Sequence, residues 1–154
     1  MAHRLYNHES KCLNFHGHTY RLEVYCKAKN NNLDDLGRIV DFGMIDAIVK
    51  QYLEKWDHNI CLNDKDRKIG ELIEKEQRKQ VIFLPCNPTA ENMIQVFFRE
   101  LNDAFNCNYN AYRCDNNAIQ ICKLRLYETP KCFVELTNEL DSNKSNNNIE
   151  ESCE

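Results

Sequence analysis

The chain has 154 residues, 42% of them hydrophobic, which is enough apolar material for one domain with a single core. A formal net charge of −4 excludes the basic surface of a typical nucleic-acid-binding protein, and no apolar run is long enough to cross a membrane. Nine cysteines, an odd number without a C-x-x-C pair, favour scattered reduced thiols over a disulfide framework, so we predict one cytoplasmic domain.

The first predicted elements are a strand and a helix. Residues 16–26 alternate between apolar and polar side chains with a period of two, which is typical of a half-buried strand. A polar turn follows, and residues 38–40 are predicted to be a short extended piece. Asp41 is expected to cap a helix that runs to Trp56, because apolar residues recur there at spacings of three and four.

A charged insertion separates this helix from the next strand. Residues 64–80 are predicted to form the insertion, with a helical turn near residues 70–79. The apolar run at 81–84 predicts a short buried strand.

The second half of the chain contains another helix and two strands. Thr89 is expected to cap a second amphipathic helix. Strands are predicted at 118–128 and 131–136. The apolar phase of the first strand changes between Ile121 and Cys122, which predicts a β-bulge.

The end of the chain lacks hydrophobic periodicity. Residues 138–154 are polar, acidic and rich in asparagine, so we predict a disordered tail after a folded domain at 1–137. Two amphipathic helices and several antiparallel strands predict an α+β fold with the helices covering one face of a sheet.

Three histidines near the start of the chain form a candidate metal site. His16 and His18 point to the same face of a strand, so both imidazoles can reach one ion. His3 is the natural third ligand if its segment pairs with the His16 strand. Three histidines leave the fourth position of a catalytic zinc open. Ordinary surface histidines are the alternative, but four of the five histidines, these three among them, fall within the first 18 residues.

Cys12 lies four residues before His16 and is a candidate general base. A thiol beside a bound dication loses its proton more readily, which makes it a usable base near neutral pH. Because the chain contains nine cysteines, chance placement is the competing interpretation.

Two further sites carry acidic groups. Asp57 and His58 are adjacent and can relay a proton, although a histidine that binds a free carbonyl at a helix end is the alternative. Glu128, at a strand end, can accept two parallel hydrogen bonds from an amidine-like edge such as that of a pterin. A solvated strand end is the simpler interpretation of Glu128.

Taken in order, these motifs resemble the 6-pyruvoyltetrahydropterin synthase family, and specifically its 6-carboxytetrahydropterin synthase branch. Three residues separate Cys12 from His16, as in the carboxytetrahydropterin enzymes of 7-deazaguanine (queuosine) biosynthesis, whereas the pyruvoyl enzymes have a longer gap. The resemblance covers residues 2–136, with the 64–80 insertion as its main gap. The matching motifs are AHRL at 2–5, CLNFHGH at 12–18, GRIVDF at 37–42, the DH pair within 53–63, PTAEN at 88–92 and YET at 127–129.

The resemblance implies a fold and a set of residue roles. The fold is the tunnelling fold, a four-stranded antiparallel sheet with two helices on one face, here with a truncated first strand. Subunits of that family form trimers or hexamers in which the sheets close a barrel and the active sites lie at subunit interfaces. The implied roles are zinc binding by His3, His16 and His18, proton abstraction by Cys12, proton relay by Asp57 and His58, and pterin binding by Glu128 with Thr89 nearby.

The implied activity is zinc-dependent conversion of 7,8-dihydroneopterin triphosphate to 6-carboxy-5,6,7,8-tetrahydropterin, with release of acetaldehyde and triphosphate. One alternative is the 6-pyruvoyltetrahydropterin synthase reaction of the biopterin route, which eliminates triphosphate but keeps the side chain. Another is a zinc- or pterin-binding protein that has lost catalysis. The presence of Cys12, Asp57, His58 and Glu128 argues against a protein without catalysis.

Overall fold

The first of two sheets carries the beginning of the chain in this computed structural model, which describes residues 1–30, 33–77, 80–109, 118–138 and 147–153. Its strand order is β2-β1-β4-β5. The β1–β2 pair is antiparallel, whereas the β1–β4 and β4–β5 pairs are parallel. The strands are β1 (Ala2–His3), β2 (His16–Gly17), β4 (Ile60–Asn63) and β5 (Val81–Leu84).

The second sheet is antiparallel throughout, with the order β3-β6-β7-β8. Leu124 and Leu126 point into the core, and the alternating Lys123 and Arg125 lie on the opposite face. The register between β3 and β6 skips Cys122, so the predicted bulge is confirmed. The strands are β3 (Arg21–Ala28), β6 (Ile119–Tyr127), β7 (Cys132–Asn138) and β8 (Asn147–Cys153).

Three helices complete the fold: α1 (Phe42–Leu53), α2 (Arg67–Gln77) and α3 (Ala90–Asn108). Both predicted caps are confirmed. The Asp41 carboxylate accepts a hydrogen bond from the Gly43 amide at 2.8 Å, and the Thr89 hydroxyl accepts one from the Asn92 amide at 3.4 Å. Each cap satisfies a backbone N–H that has no partner within its own helix.

Helix α3 supplies the centre of the core. It packs on β6 and β7 with one apolar face, and α1 packs against α3. Burial of each large side chain on that face contributes about 1.5–3 kcal/mol. The face consists of Met93, Ile94, Phe97, Leu101 and Phe105.

The described residues 64–77 of the predicted insertion form helical structure that packs against the first sheet. A 3-10 turn at Asp64–Asp66 leads into α2, which packs on β4 and β5. Gly70 lies so close to the Phe83 ring that an added Cβ would overlap it. Arg4 Nε and Asp66 Oδ2 lie 3.2 Å apart without hydrogen-bond geometry, so an ion pair joins the insertion to the residue after β1.

Two sequence predictions near the start of the chain are wrong in detail. The single strand at 16–26 is two strands, because the chain leaves the first sheet after Gly17 and joins the second at Arg21. The extended piece at 38–40 is a bend. Its backbone is turned by Asp34, whose Oδ1 accepts hydrogen bonds from the amides of Leu36 and Arg38 at 3.0 and 2.8 Å.

The predicted disordered tail is contradicted for Asn147–Cys153, which form β8, whereas residues 139–146 lie outside the described part of the chain. Polar composition argues against a buried strand but not against an edge strand. Without β8, one edge of β7 would expose a row of unpaired backbone groups. The strand β8 covers that edge and pairs with all seven residues of β7. The fourth strand of the antiparallel sheet is therefore β8 and not a truncated N-terminal strand.

The cysteines follow the prediction for the most part. Six of the described cysteines are free thiols. Burial raises the pKa of the Cys26 and Cys61 thiols to about 12, so both remain protonated as small apolar side chains. Cys132 differs from the prediction because it is disulfide-bonded, and it lies opposite Cys153 in the strand register.

The described part of the chain is thus mixed α and β, with three α-helices and two sheets where one sheet and two helices were predicted. The antiparallel sheet and the helices α1 and α3 were expected. Among the described residues neither sheet closes into a barrel. No helix in the same ranges combines the length and the apolar character needed to cross a membrane.

Candidate metal centre and active site

The three predicted ligands come together where β1 and β2 pair. His3 and His16 are direct partners in the register, and His18 follows one residue after β2. One ring nitrogen from each histidine lies within 4.8 Å of the others. His3 is 2% exposed, whereas His16 and His18 are partly exposed, so the cluster has one buried and two accessible sides.

Backbone carbonyls orient two of the three rings. His3 Nδ1 lies 2.7 Å from the Pro88 carbonyl oxygen, and His16 Nδ1 lies 2.8 Å from that of Asn14. A carbonyl only accepts hydrogen bonds, so both Nδ1 atoms carry the proton and donate it. The Nε2 atoms therefore keep their lone pairs for a metal.

The environment favours the neutral form of His3. Burial lowers its pKa below the ordinary value, and the nearby His16 and His18 lower it further. The hydrogen bond to Pro88 and the charge of Glu128 act in the opposite direction. The neutral imidazole is the form that binds a metal ion, so the burial of His3 prepares it for that role.

The chemistry of this donor set fits a catalytic transition-metal ion. Imidazole nitrogen suits zinc, copper, iron or nickel, whereas calcium and magnesium take oxygen ligands. Three ligands leave a position for water or substrate. Within the described ranges, His3, His16 and His18 are the group of metal-ligating side chains that lie close enough to share an ion.

Glu128 and Tyr20 border the histidine cluster. Glu128 Oε1 lies 3.9 Å from His3 Nε2 and 3.7 Å from His18 Nε2, and it accepts a hydrogen bond from the Tyr20 hydroxyl at 3.1 Å. Burial raises the pKa of Tyr20 well above its usual range, and the Glu128 charge adds to this, so the phenol keeps its proton.

Tyr20 is not among the predicted site residues, because the alternation over residues 16–26 assigns it to an apolar strand position. A signal for it existed in the sequence, because His16, His18 and Tyr20 continue one alternation with a period of two. The His18 and Tyr20 rings lie 5.6 Å apart, and those of His3 and Tyr20 6.1 Å apart.

A cavity of about 350 Å³ brings the predicted proton relay to the same site. His18 and Tyr20 line one side of it, and Asp57 and His58 line another. The remaining lining is largely apolar and consists mainly of Met1, Leu22, Leu53, Trp56, Phe97 and Leu126.

Asp57 and His58 form a pair in the lining of this cavity. His58 Nδ1 lies 3.0 Å from Asp57 Oδ1, and their side chains are 83% and 71% exposed respectively. His58 adopts a φ of 55°, which is uncommon for a residue with a Cβ. This left-handed turn ends the segment after α1, in the place where glycine or asparagine usually stands.

A second cavity, of about 620 Å³, lies on the other side of His18. Glu128 and Thr129 line it together with Arg21, whose guanidinium lies 3.8 Å from the centre of the Tyr127 ring. Glu128 is one-third exposed and thus accessible to a small molecule. The structure accordingly places Glu128 between the histidine cluster and open space.

Cys12 and Thr89 lie on segments that touch the histidine cluster. Cys12 is a half-buried free thiol in the 3-10 turn Lys11–Leu13, within the loop between β1 and β2. It lines neither of the two cavities described above. Thr89 caps α3 directly after Pro88, whose carbonyl orients His3.

Comparison with known proteins gives a consistent result. The model of the 6-pyruvoyl tetrahydropterin synthase family matches residues 1–139. A Rickettsia bellii protein named 6-carboxy-5,6,7,8-tetrahydropterin synthase is 37% identical over 136 residues, which cover 88% of this chain and 91% of the relative. The Rickettsia felis protein of the same name is 35% identical with the same coverage. The Haemophilus influenzae protein of that name is 31% identical over 143 residues, which cover 88% and 90%.

Proposed function

Because the chain belongs to the 6-pyruvoyl tetrahydropterin synthase family, we propose that it is a 6-carboxy-5,6,7,8-tetrahydropterin synthase. It converts 7,8-dihydroneopterin triphosphate and one water molecule to the carboxytetrahydropterin, acetaldehyde and triphosphate. One observation carries the proposal: His18 of the histidine cluster lines the same cavity as the Asp57–His58 pair. A metal-binding group and a proton-transferring pair thus face the same space.

His3, His16 and His18 hold a zinc ion in this proposal. When bound, zinc acts as a Lewis acid that polarises the side-chain oxygens of the substrate and makes the neighbouring C–H bond acidic. The carbonyls of Pro88 and Asn14 keep the ring nitrogens in the required tautomer before the ion arrives. The His3 and His16 rings therefore need little reorientation when the metal binds.

Glu128 binds the pterin ring. Its carboxylate accepts two hydrogen bonds from the exocyclic amine and a ring N–H, and such charge-assisted pairs are both strong and directional. The contacts to Tyr20, His3 and His18 all involve Oε1 and hold the carboxylate beside the metal ligands. The pterin is thereby anchored with its side chain directed at the histidine cluster.

Proton transfer is assigned to Cys12, Asp57 and His58. Cys12 removes the carbon-bound proton, and its loop connects the two strands that carry His3 and His16. The Asp57 carboxylate fixes the tautomer of His58, so the imidazole exchanges protons with the substrate on the cavity side. Thr89 remains a proposed neighbour of the pterin.

The family resemblance further supports a homo-oligomer, a trimer or hexamer whose sheets close a barrel. A cluster of exposed apolar side chains is consistent with such an assembly, because monomers rarely leave large contiguous apolar patches in water. Phe42 alone is 86% exposed. The exposed apolar residues lie between positions 33 and 44 and are Leu33, Leu36, Ile39, Phe42 and Met44.

We also retain the prediction that the protein is cytoplasmic.

The second candidate reaction within the family is formation of 6-pyruvoyltetrahydropterin, which eliminates triphosphate and keeps the side chain. The names of the relatives and the short spacing between Cys12 and His16 favour the carboxy product. The third candidate, a protein that binds zinc or pterin without catalysis, is disfavoured by the intact Asp57–His58 pair.

The deciding experiment is incubation of the zinc-loaded protein with 7,8-dihydroneopterin triphosphate, with the products identified by mass spectrometry. We expect 6-carboxytetrahydropterin and acetaldehyde in equal amounts. Pyruvoyltetrahydropterin without acetaldehyde would assign the alternative reaction. Unchanged substrate in the presence of stoichiometric zinc would support a binding protein, and the Cys12→Ala variant serves as the matched inactive control.

A further inference from the structure

The segment after His3 is held by the side chain of one residue, Asn87. Its Oδ1 accepts a hydrogen bond from the Tyr6 amide at 2.8 Å, and its Nδ2 donates one to the Tyr6 carbonyl at 3.0 Å. Both backbone groups of Tyr6 are therefore satisfied by one side-chain amide. A neighbouring strand would supply the same pair of hydrogen bonds. The strand β1 ends at His3, so at Tyr6 the Asn87 side chain takes the place of a strand partner.

Asn87 is itself fixed on several sides. The Asn63 side chain, which is buried at the end of β4, donates a hydrogen bond to Asn87 Oδ1 at 3.1 Å. The Asn87 carbonyl accepts hydrogen bonds from the Asn92 side chain and the Thr89 amide, each at 2.8 Å. These hydrogen bonds fix both the backbone and the side-chain amide of Asn87 relative to the first turn of α3.

The two parts of the site that Asn87 reaches are the third metal ligand and the loop of the proposed base. Pro88, the next residue, orients the His3 ring through its carbonyl. Leu5, the residue before Tyr6, donates its amide to the Cys12 carbonyl at 2.8 Å. One short stretch, from His3 to Tyr6, therefore links the metal ligand to Cys12, and Asn87 fixes the far end of that stretch.

We propose that Asn87 is a positioning residue that sets the place of both His3 and the Cys12 loop. The inference rests on the metal centre proposed above. The role requires a donor and an acceptor directed at one peptide group, and at this size asparagine provides both. Aspartate keeps the acceptor but loses the donor, and alanine loses both.

The test measures metal affinity instead of activity. Co²⁺, with its visible absorption, and Zn²⁺, by competition with a chromophoric chelator, are titrated into the metal-free protein and its Asn87→Ala variant. We expect the variant to bind both ions about 10–100-fold more weakly, the range typical when a group supporting a metal ligand is removed. Asn87→Asp is expected to fall between the two proteins.

The matched control is Asn102→Ala. Asn102 also donates and accepts, to the Phe98 carbonyl at 2.8 Å and from the Ile121 amide at 3.3 Å, but it lies within α3 away from the histidines. We expect its metal affinity to stay within twofold of the unmodified chain. A loss of affinity in Asn102→Ala equal to that in Asn87→Ala would mean that general destabilisation explains the effect, and the proposal would be wrong.

Amide hydrogen exchange separates failure of this inference from failure of the proposed function. In metal-free Asn87→Ala the Tyr6 and Leu5 amides are expected to exchange faster, whereas those of β6 keep their protection. If the unmodified chain binds neither ion, the proposed metal centre fails whatever Asn87 does. If it binds both and Asn87→Ala binds them equally well, the positioning role of Asn87 is overturned.

Discussion

His3, in the histidine cluster, and His58, in the cavity that His18 also lines, have opposite settings. His3 is 2% exposed, its ring is held by a carbonyl, and the segment after it is fastened by Asn87. His58 is 83% exposed, and its side chain pairs with Asp57, which is 71% exposed. The proposed metal-binding half is therefore built in advance within one chain, whereas the side chains of the proposed proton relay are exposed to water.

This difference indicates which step each half controls. Metal ligands must be placed to within a fraction of an ångström, and this demands rigid support. A proton relay needs exchange with its surroundings, but its reactions run best when substrate or protein excludes bulk water. We infer that the Asp57–His58 pair becomes effective when the cavity is filled or covered.

The strongest test of this division is Cys12→Ala. Loss of the base should lower turnover about 10²–10⁴-fold, because general-base catalysis is typically worth that much. Zinc content, measured by atomic emission, should stay at the level of the unmodified chain, since the thiol is no ligand. Loss of zinc together with turnover would place Cys12 in the metal half and remove the distinction between the two halves.

His58→Asn probes the exposed half. Asparagine tolerates a positive φ, so the turn at 55° should persist while the imidazole is lost. We expect turnover to fall about 10²-fold with no change in melting temperature. The companion variant His58→Gly also keeps the turn and should be equally inactive. Normal turnover in both would leave His58 as a helix-end residue only.

Glu128→Gln tests the boundary between the halves. The substitution keeps the shape but replaces one acceptor by a donor, so one hydrogen bond to the pterin is lost. Pterin affinity should weaken by about 1–3 kcal/mol. Calorimetric titration with a non-reactive pterin measures this, and Glu135→Gln on β7 provides the control. Equal affinity for both variants would reduce Glu128 to a solvated strand end.

The smallest expected effect concerns Phe42, which is exposed like His58 but outside both cavities. Phe42→Ser should change the free energy of unfolding of a subunit by no more than about 0.5 kcal/mol. It should nevertheless lower the oligomeric mass seen by light scattering if this patch is an interface. Ile48→Ala, at a buried position of the same helix, should cost about 2–5 kcal/mol. Unchanged mass would remove the patch from the proposed assembly.

Local patterns in the sequence predicted the residues whose neighbours lie nearby in the chain. The caps at Asp41 and Thr89, the apolar face of α3 and the bulge at Cys122 all follow from periodicity and short-range chemistry. The pairing of His3 with His16 was the condition on which His3 was predicted as the third ligand, and the antiparallel register of β1 and β2 meets it. In each case the information lies within one or two turns or strands.

The failures arose from long-range pairing. The first sheet depends on the parallel pairing of β1 with β4, in which His3 lies opposite Cys61, and no local sequence pattern predicts such a distant partner. Pro88 lies 85 positions after His3, so the local sequence could not predict that its carbonyl orients the His3 ring. The strand β8 forms because β7 has a free edge, which is a property of the assembled sheet and not of the tail composition.

The ion pair between Arg4 and Asp66 restricts how this chain can be recombined with its relatives. A chimera with a shorter loop in place of residues 64–80 would leave the Arg4 guanidinium, which is more than four-fifths buried, without its counter-charge. Breaking such a pair on one side costs about 3–5 kcal/mol. The loop and Arg4 should therefore be exchanged together. A chimera should keep β1, the strand that carries His3, intact only when residue 4 and the loop come from the same protein.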